Sequence, residues 1–296
     1  MSSPCVTVVV PTYERPEQLG RCLGALARQT LGRDAFQVVV VDDGSSCDLE
    51  AVVGSYDSRL RLDLLRQDHQ GPAAARNRGV AVADGEFIAF TDDDCVPQPN
   101  WLERLRARLV AEGEACLVGG RIVNLLPNNP FSEASQLILV LVYEHFNSDP
   151  ENAHFFASMN VGLSKDALLA CGGFRPDFRT AEDRELCDRW RSNGHRLVYE
   201  PGAGIGHAHD LDLRSFCRQH FGYGRGAARY HQVRGEGSSG TMGDESSFHR
   251  ALPGLVWRHL RRRSIGHAAV QLAILTLWQV VNVIGYLDGR RGIRDR

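Results

Sequence analysis

The sequence predicts an α/β protein with a mixed, mostly parallel sheet flanked by helices, and three observations support this fold class. Short runs of β-branched residues alternate with segments of helical periodicity, as in sheets joined by crossover helices. Several runs end in polar residues, and ligands bind at the carboxyl ends of such strands. The chain has 296 residues and is 43% hydrophobic, which is sufficient for a large core.

The predicted elements of the first third of the chain alternate between strand and helix. Strands are predicted at the β-branched runs 5–12 (CVTVVVPT), 36–46 (FQVVVVDDGSS), 60–67 (LRLDLLRQ) and 86–94 (EFIAFTDDD). Helices are predicted at 16–29 and 71–84, each with a proline in its first turn. This alternation favours a parallel sheet with helical crossovers.

Two further helices are predicted in the second half, at 131–146 (FSEASQLILVLVYEHF) and 180–194 (TAEDRELCDRWRSNG). In the second of them, Thr180 and Asp183 have the spacing of a capping box, which would make Asp183 a helix cap. The alternative is that Asp183 points inward, because it shares a helical face with apolar residues. Both interpretations stay open at this point.

Composition excludes one class of partner and indicates a compartment. Basic and acidic residues number 34 and 36, so the chain has no overall positive field that would hold nucleic acid. The eight cysteines include no C-x-x-C pair, and the N-terminus lacks the features of a signal peptide. A reduced, cytoplasmic environment is therefore expected.

The C-terminal region predicts an amphipathic helix. The apolar segment 265–287 lies between the basic segments 257–264 and 289–296, a pattern typical of membrane contact. On a helical wheel the polar or aromatic residues fall on one side, namely His267, Gln271, Trp278, Gln279, Asn282 and Tyr286. This two-sidedness favours an interfacial helix, or one whose polar side packs on its own domain, over a lone spanning helix. An ordinary core helix is the remaining alternative.

Two acidic clusters follow predicted strands, at Asp42 and Asp43 and at residues 92–94. Clustered carboxylates are tolerated in water, beside cations or around a metal ion. Because the carboxyl ends of parallel strands meet in one crevice, the two clusters are expected to lie together there. All-oxygen ligands without paired cysteines favour Mg²⁺ or Mn²⁺, and Arg76 after a helix start suits an anion such as phosphate.

At this point the chain resembles glycosyltransferases of family 2, which have the GT-A (Rossmann-like) fold and use nucleotide-diphospho-sugars. The resemblance covers roughly residues 5–230. It rests on six blocks in the family's order: VVVPTYERPEQL, VVVVDDGSS, GPAAARNRG, FTDDDCVPQPNWL, GGFRPDFRTAEDRELCDRW and HFGYGRGAARY.

The resemblance implies a donor site and a divalent metal. The residues implied for the nucleotide and sugar are Pro11, Thr12, Tyr13, Glu14, Asp42, Asp43, Arg76, Asn77, Asp92 and Asp93. Asp92 and Asp94 form a D-x-D motif, with Asp92 towards the ribose and Asp94 on a Mn²⁺ or Mg²⁺ ion. His207 resembles a further metal ligand. His209, two residues later, is expected to point the opposite way if this segment is extended.

The resemblance also implies a catalytic pair and an acceptor side. In the E-D pair, Asp183 would be the general base, with Glu182 the next candidate. The residues implied for the acceptor or diphosphate region are Ser158, Asn160, Gly162, Tyr223 and Arg225. The glycines around Tyr223 suggest a mobile loop. This block departs from the Q-x-x-R-W motif of processive synthases, which disfavours polymerisation.

Together these observations predict a division of the chain. A catalytic domain spans 1–230, with a nucleotide-sugar half (1–123) and an acceptor half (124–230). A flexible linker (231–248) and a basic, membrane-associating helical tail (249–296) follow.

The predicted activity is inverting, metal-dependent, non-processive glycosyl transfer to a hydroxyl of a glycan, a lipid-linked saccharide or a secondary metabolite. A UDP-sugar is favoured as the donor, and the predicted location is the cytoplasmic face of the membrane. The alternatives are a nucleotidyltransferase of similar fold and a non-catalytic nucleotide-sugar-binding subunit.

Overall fold

The computed structural model describes residues 5–235 and 245–294. Eight strands form one sheet in the order β3-β2-β1-β4-β7-β6-β8-β5. The strands are β1 (Val6–Thr12), β2 (Phe36–Asp42), β3 (Leu62–Arg66), β4 (Phe87–Phe90), β5 (Cys95–Pro97), β6 (Cys116–Asn124), β7 (Val161–Ser164) and β8 (Arg196–His207).

Helices flank the sheet and continue beyond it at the C-terminal end. The helices are α1 (Pro16–Leu26), α2 (Glu50–Gly54), α3 (Pro72–Ala81), α4 (Trp101–Glu112), α5 (Pro130–Phe146), α6 (Lys165–Ala170), α7 (Glu182–Ser192), α8 (Leu213–Gly235), α9 (Glu245–Leu260) and α10 (Ile265–Arg294). The α/β class and each element predicted in the first third of the chain are confirmed.

The first four strands are parallel and bring polar strand ends together. β1 pairs with β2 and with β4, and β2 pairs with β3. The valines of β1 and β2 are buried on both faces because helices cover the sheet on both sides. Thr12 and Asp42 are register partners at the end of β1 and β2, so the polar residues that follow these strands share one edge of the sheet.

The second half of the sheet adds antiparallel strands and closes the site from the other side. β7 runs antiparallel to β4 and β6, and β6 runs parallel to β8. The short strand β5 pairs antiparallel with β8, with Cys95 opposite His207. This pairing places the third aspartate of the acidic cluster beside a histidine distant in sequence. One sheet therefore runs through both halves of the predicted catalytic domain.

The three C-terminal helices pack on the domain, and glycines set how closely they approach. α10 packs along α8 and against α5. A Cβ added to Gly224 of α8 would lie 2.1 Å from the Asn282 carbonyl oxygen, and one added to Gly285 of α10 would lie 2.1 Å from the Phe221 carbonyl oxygen. The predicted mobile loop around Tyr223 is therefore wrong, because these residues lie inside α8 and its glycines admit a neighbouring backbone.

The predicted linker over 231–248 is also too long. Residues 231–235 belong to α8, and residues 245–248 belong to α9. The rest of that prediction, 236–244, lies outside the described residues.

The two sides of α10 have different surroundings. On the polar side, the Gln271 Nε2 donates to the Pro130 carbonyl and to Glu133, and His267 contacts Glu133 at 3.0 Å. This confirms the alternative in which the polar side packs on the chain's own domain. On the other side, Val280 and Ile284 are each 52% exposed. By length and apolar composition, the segment Ile265–Gly292 could also cross a membrane.

Candidate active site

A cavity of about 850 Å³ opens at the carboxyl ends of β1, β2 and β4 and extends between α5, α8 and α10. The wall includes twelve of the residues predicted from the sequence: Pro11, Thr12, Tyr13, Asp43, Arg76, Asp92, Asp93, Ser158, Glu182, Asp183, His207 and Tyr223. Residues predicted for nucleotide binding, catalysis and acceptor binding thus face one space.

Each of the three consecutive aspartates accepts a hydrogen bond from an arginine, and Asp93 and Asp94 share Arg15. Asp92 accepts a hydrogen bond from Arg76 Nη2 at 2.8 Å. Asp93 accepts from the Thr12 hydroxyl at 2.8 Å and from Arg15 Nη1 at 3.2 Å. Asp94 accepts from the same Arg15 nitrogen at 3.1 Å. Partners of opposite charge let three neighbouring carboxylates coexist in a partly buried site.

The pKa values of Asp93 and Asp94 move in opposite directions. Burial raises the pKa of Asp93 to about 6, against the opposing charge of Arg15. Burial also acts to raise the pKa of Asp94, but the hydrogen bond and charge of His207, with Arg15, hold it well below its usual value. Of these two residues, Asp94 is therefore the one that more strongly prefers to be a carboxylate.

Arg76 links the acidic cluster to the candidate catalytic pair. Its side chain is 3% exposed, and it donates to Asp92 and, through Nη1 at 2.9 Å, to Glu182. α3 carries Arg76, and Asp43 organises the loop before this helix by accepting from the backbone N–H of Gln70 at 2.9 Å and of Gly71 at 2.8 Å. The arrangement fixes α3, α7 and the end of β4 around one guanidinium group.

Asp183 faces the cavity rather than capping a helix. Ala181 occupies the cap position in a left-handed conformation (φ 66°), and the Thr180 hydroxyl donates to the Gly222 carbonyl at 2.8 Å. The capping-box interpretation is therefore wrong. Burial and the neighbouring charge of Glu182 raise the pKa of Asp183 to about 7, although the Arg184 backbone N–H donates to it at 2.8 Å. A carboxyl group with such a pKa can exchange a proton near neutral pH.

The end of β5 and the end of β8 form a small group of potential metal ligands. Ligand atoms of Asp94, Cys95 and His207 lie within 4.8 Å of one another. Burial keeps the pKa of the Cys95 thiol well above its usual value, so this group stays protonated and is a poor ligand. The carboxylate and the imidazole, 3.3 Å apart, fit a divalent ion that also binds phosphate oxygens.

His209 does not point away from His207. The two rings are stacked with centroids 4.7 Å apart and planes at 28°, and both line the cavity. The prediction of opposite directions is wrong because β8 ends at His207, so strand alternation no longer applies one residue later. Burial lowers the pKa of His209 to about 4.

Two predicted asparagines hold the backbone instead of facing the cavity. Asn77 donates to the Phe174 carbonyl at 2.7 Å and accepts from the Phe174 N–H at 2.8 Å. Asn160 is fully buried, accepts from the Trp101 indole at 2.8 Å and donates to two carbonyl groups at 3.0 Å. Their amide groups are thus used within the fold, so both position the site without lining it.

Gly162 and Arg225 also lie away from the cavity wall. Gly162 is a strand residue of β7, opposite Ala89 and Val118 in the sheet. Arg225 of α8 faces α10, where its Nε lies 3.4 Å from Asp288. Neither residue occupies the acceptor region predicted from the sequence.

Asp42 and Glu14 are not among the residues that line the cavity, and they order the loop after β2 instead. Asp42 accepts from the Ser45 N–H at 2.8 Å, and Glu14 accepts from the Ser46 N–H at 2.7 Å. Glu14 adopts a positive φ of 55°, which is uncommon outside glycine. Both carboxylates thus shape the edge beside Tyr13, whose ring packs on His69 with centroids 4.4 Å apart.

Sequence reasoning missed two groups of wall residues. Arg15 pairs with Asp93 and Asp94. Its position shortly after the first strand, in a chain with an acidic cluster, could have predicted this pairing. The other group comes from α10 and includes Trp278, Gln279, Asn282 and Tyr286. These residues were recognised as a polar side, but the sequence does not say which surface that side meets.

The fold defines the class of protein. The structure of the mannosyltransferase PcManGT from Pyrobaculum calidifontis, in complex with GDP-Man and Mn²⁺, matches with a TM-score of 0.68 at 20% identity. The match covers 98% of this chain and 87% of that one. The fold is of the GT-A glycosyltransferase type.

The family follows from sequence similarity. The family model of glycosyl transferase family 2 matches residues 7–172. The chain is 34% identical over 230 residues to the pre-mycofactocin glycosyltransferase of Mycobacterium tuberculosis, covering 75% of this chain and 47% of the relative. It is 32% identical to the validoxylamine A glucosyltransferase of Streptomyces hygroscopicus, covering 64% and 52%. The chain belongs to glycosyl transferase family 2, and it spans about half the length of these curated relatives.

Proposed function

We propose that this protein is an inverting, metal-dependent glycosyltransferase that moves a sugar from a nucleoside-diphospho-sugar to an acceptor hydroxyl, with Asp183 as the general base. The observation that carries the proposal is the position of the Asp183 carboxyl group, which lines the same cavity as Asp92 and Arg76. Burial and the neighbouring charge of Glu182 raise its pKa towards neutrality. A base whose pKa lies near the operating pH is the most effective. A non-catalytic nucleotide-sugar-binding subunit would have no use for such a base.

The reaction is a single displacement at the anomeric carbon. The acceptor oxygen forms a bond to that carbon while the bond to the diphosphate oxygen breaks on the opposite face. The acceptor proton moves to a carboxylate oxygen of Asp183, and the bond electrons leave with the nucleoside diphosphate. Asp183 thus has to face the acceptor, and its position on the cavity wall is consistent with this.

The donor side would hold the diphosphate through cations. Asp94 and His207 would bind Mg²⁺ or Mn²⁺, with Asp92 towards the ribose. When bound, the ion stabilises the charge that develops on the leaving diphosphate. Arg76 keeps Asp92 and Glu182 in place through its two hydrogen bonds. A UDP-sugar remains the predicted donor.

The test is replacement of Asp183 by asparagine. Asp183→Asn should lower kcat ~10²–10⁴-fold, as general-base loss does, and keep nucleotide affinity. Wild-type turnover should rise with pH through about 7 because only the deprotonated carboxylate accepts the proton.

The matched control is Asp166→Asn, which removes an exposed carboxylate from the first turn of α6 and should change nothing. Near-normal transfer by Asp183→Asn would contradict the assignment of Asp183 as the general base, and Glu182 would be the next candidate.

We further propose that the protein works at the cytoplasmic face of a membrane, with α10 lying in the interface. Leu272, Val280, Ile284 and Leu287 form an exposed apolar stripe on the side of α10 that points away from the domain. Trp257 is 67% exposed near the basic end of α9. An apolar stripe, an interfacial tryptophan and nearby arginines are typical of helices that lie on anionic lipid.

Flotation with vesicles tests this proposal. The full chain should float with vesicles that contain anionic phosphatidylglycerol and much less with pure phosphatidylcholine. Val280→Asp with Ile284→Asp should abolish flotation, since a charge on the lipid-facing side opposes insertion. Val82→Asp with Val110→Asp, at two exposed valines away from α10, adds the same two charges and is the control. Equal flotation of both double variants would exclude α10 as the contact.

A further inference from the structure

The cavity has a lobe between α5, α8 and α10 that the donor chemistry does not use. Its wall combines apolar side chains of α5, such as Ile138 and Val142, with polar or aromatic side chains of α8 and α10. A concave surface that combines apolar area with a few convergent polar groups is typical of a ligand site. We infer that this lobe binds the acceptor, and that the acceptor presents a polyhydroxylated ring, a sugar or a cyclitol. The inference rests on the proposed glycosyl transfer.

The first observation is a buried imidazole that has no hydrogen-bond partner among the described residues. His220 is 2% exposed, and among the described residues neither of its ring nitrogens has a hydrogen-bond partner. Burial, with the nearby His209, lowers the pKa of His220 to about 4, so the ring is neutral and offers one donor and one acceptor. Buried polar groups are nearly always satisfied. A ring hydroxyl, which both donates and accepts, matches this pair of nitrogens.

The second observation is independent and comes from the facing helix. The Gln279 Nε2 of α10 is also buried without a hydrogen-bond partner among the described residues, and its side chain lines the lobe. Two buried polar groups on facing helices, both unsatisfied, indicate one missing ligand with several hydroxyl groups.

The third observation is an aromatic surface beside these groups. The Trp278 ring lies 6.4 Å from the His220 ring, centroid to centroid, and Trp278 is 7% exposed. The face of an aromatic ring carries negative charge density and attracts the C–H face of a sugar ring. Trp278 would therefore orient the ring that the two polar groups bind.

Tyr223 connects the lobe to the catalytic pair. Its ring lies 5.5 Å from the His220 ring. His220, Tyr223 and Asp183 line the same cavity, so a ring bound in the lobe shares one continuous space with the base.

The experiment uses methyl β-D-glucopyranoside and myo-inositol as probes and tryptophan fluorescence of the full chain as the signal. At least one probe should give a saturable change. Trp278→Phe should remove the change, while the matched variant Trp257→Phe, at an exposed site on α9, should keep it. Because the measurement needs neither donor nor turnover, a failure of the Asp183 test leaves it intact.

Affinity is then measured by calorimetry with two further variants. His220→Leu and Gln279→Leu should each weaken probe binding about tenfold, the usual effect of one lost hydrogen bond. His220→Leu should not lower Tm, since replacing an unsatisfied buried polar group by an apolar one is close to neutral or stabilising. Thr276→Ala, on the exposed side of α10, is the control.

Three results would overturn the inference. The first is the absence of saturable binding of both probes to the wild-type chain. The second is a fluorescence change that survives in Trp278→Phe. The third is wild-type probe affinity in His220→Leu and Gln279→Leu, or a Tm loss in His220→Leu that marks the imidazole as structural.

Discussion

The donor side of the cavity and the lobe at the C-terminal helices differ in whether the protein itself pairs their polar groups. On the donor side, cations and hydroxyls pair the aspartates without any ligand: Arg76 with Asp92, Arg15 with Asp93 and Asp94. In the lobe, His220 and Gln279 have buried polar atoms without hydrogen-bond partners among the described residues. Arg76 Nε is in the same state, but the charge of its guanidinium group is paired through both Nη atoms. An unpaired buried charge would strongly destabilise the folded state. A neutral buried polar group without a partner costs only about 1–3 kcal/mol of folding free energy until a ligand binds it.

Metal removal should separate the two regions most strongly. With EDTA, transfer should fall at least ~10²-fold, because a divalent ion contributes several kcal/mol to stabilising the leaving diphosphate. Nucleotide affinity should fall as well, since Asp94 and His207 then meet the diphosphate without a cation.

Binding of methyl β-D-glucopyranoside to the lobe should be unchanged in the same buffer. Turnover that continues in excess chelator would refute the metal assignment and favour a mechanism that relies on arginine side chains.

The next largest effect should come from the buried ion pairs of the donor side. Arg76→Ala leaves Asp92 and Glu182 without their shared partner, and breaking a buried pair in this way typically costs ~3–5 kcal/mol of unfolding free energy. The exposed pair of Arg175 with Asp177, at 2.9 Å, provides the matched control.

Arg175→Ala should cost less than ~1 kcal/mol, as surface pairs do. Urea unfolding of the two variants measures both values. Similar losses would show that the guanidinium of Arg76 is no more important to the fold than a surface cation.

A smaller effect is expected where α10 meets α8. Gly285→Ala places a methyl group against the Phe221 carbonyl, so the helices must separate, at a cost of ~1–3 kcal/mol. Probe binding in the lobe should weaken, while nucleotide affinity should stay, since the donor side does not include this contact.

Gly292→Ala is the control, because an added Cβ there meets nothing within 4 Å. Normal probe affinity in Gly285→Ala would mean that the α8–α10 spacing does not define the lobe.

The sequence predicted that polar residues meet at the ends of β1, β2 and β4 because the signals for this are local. A strand followed directly by aspartates can be recognised from a few residues. Asp43, Arg76 and Asp92 lie on the cavity wall as expected. Parallel register then brings the strand ends together without further information.

The predictions that the structure does not support also have physical causes. Asn77 and Asn160 occupy motif positions, but whether an amide faces a ligand or a backbone carbonyl depends on tertiary contacts that one sequence does not contain. The glycines around Tyr223 suggested a loop, yet glycine in a helix can also serve close packing.

The sequence could not show that α10 contributes to the cavity wall, for a related reason. Amphipathicity shows that a helix has two sides but not which neighbour each side meets. Trp278 and Asn282 belong to the cavity wall, so the predicted membrane-associating tail (249–296) also contributes residues to the site.

One structural feature, the position of α10 between the lobe and the exterior, has a thermodynamic consequence. The same helix presents Gln279 inward and Val280 outward. On the two proposals made for these sides, lipid contact and acceptor binding act on one element, and any coupling between them is reciprocal. If vesicles raise the affinity for the acceptor by some factor, the acceptor must raise the affinity for vesicles by the same factor. Acceptor-dependent partitioning of the protein would therefore report on occupancy of the lobe without any measurement of turnover.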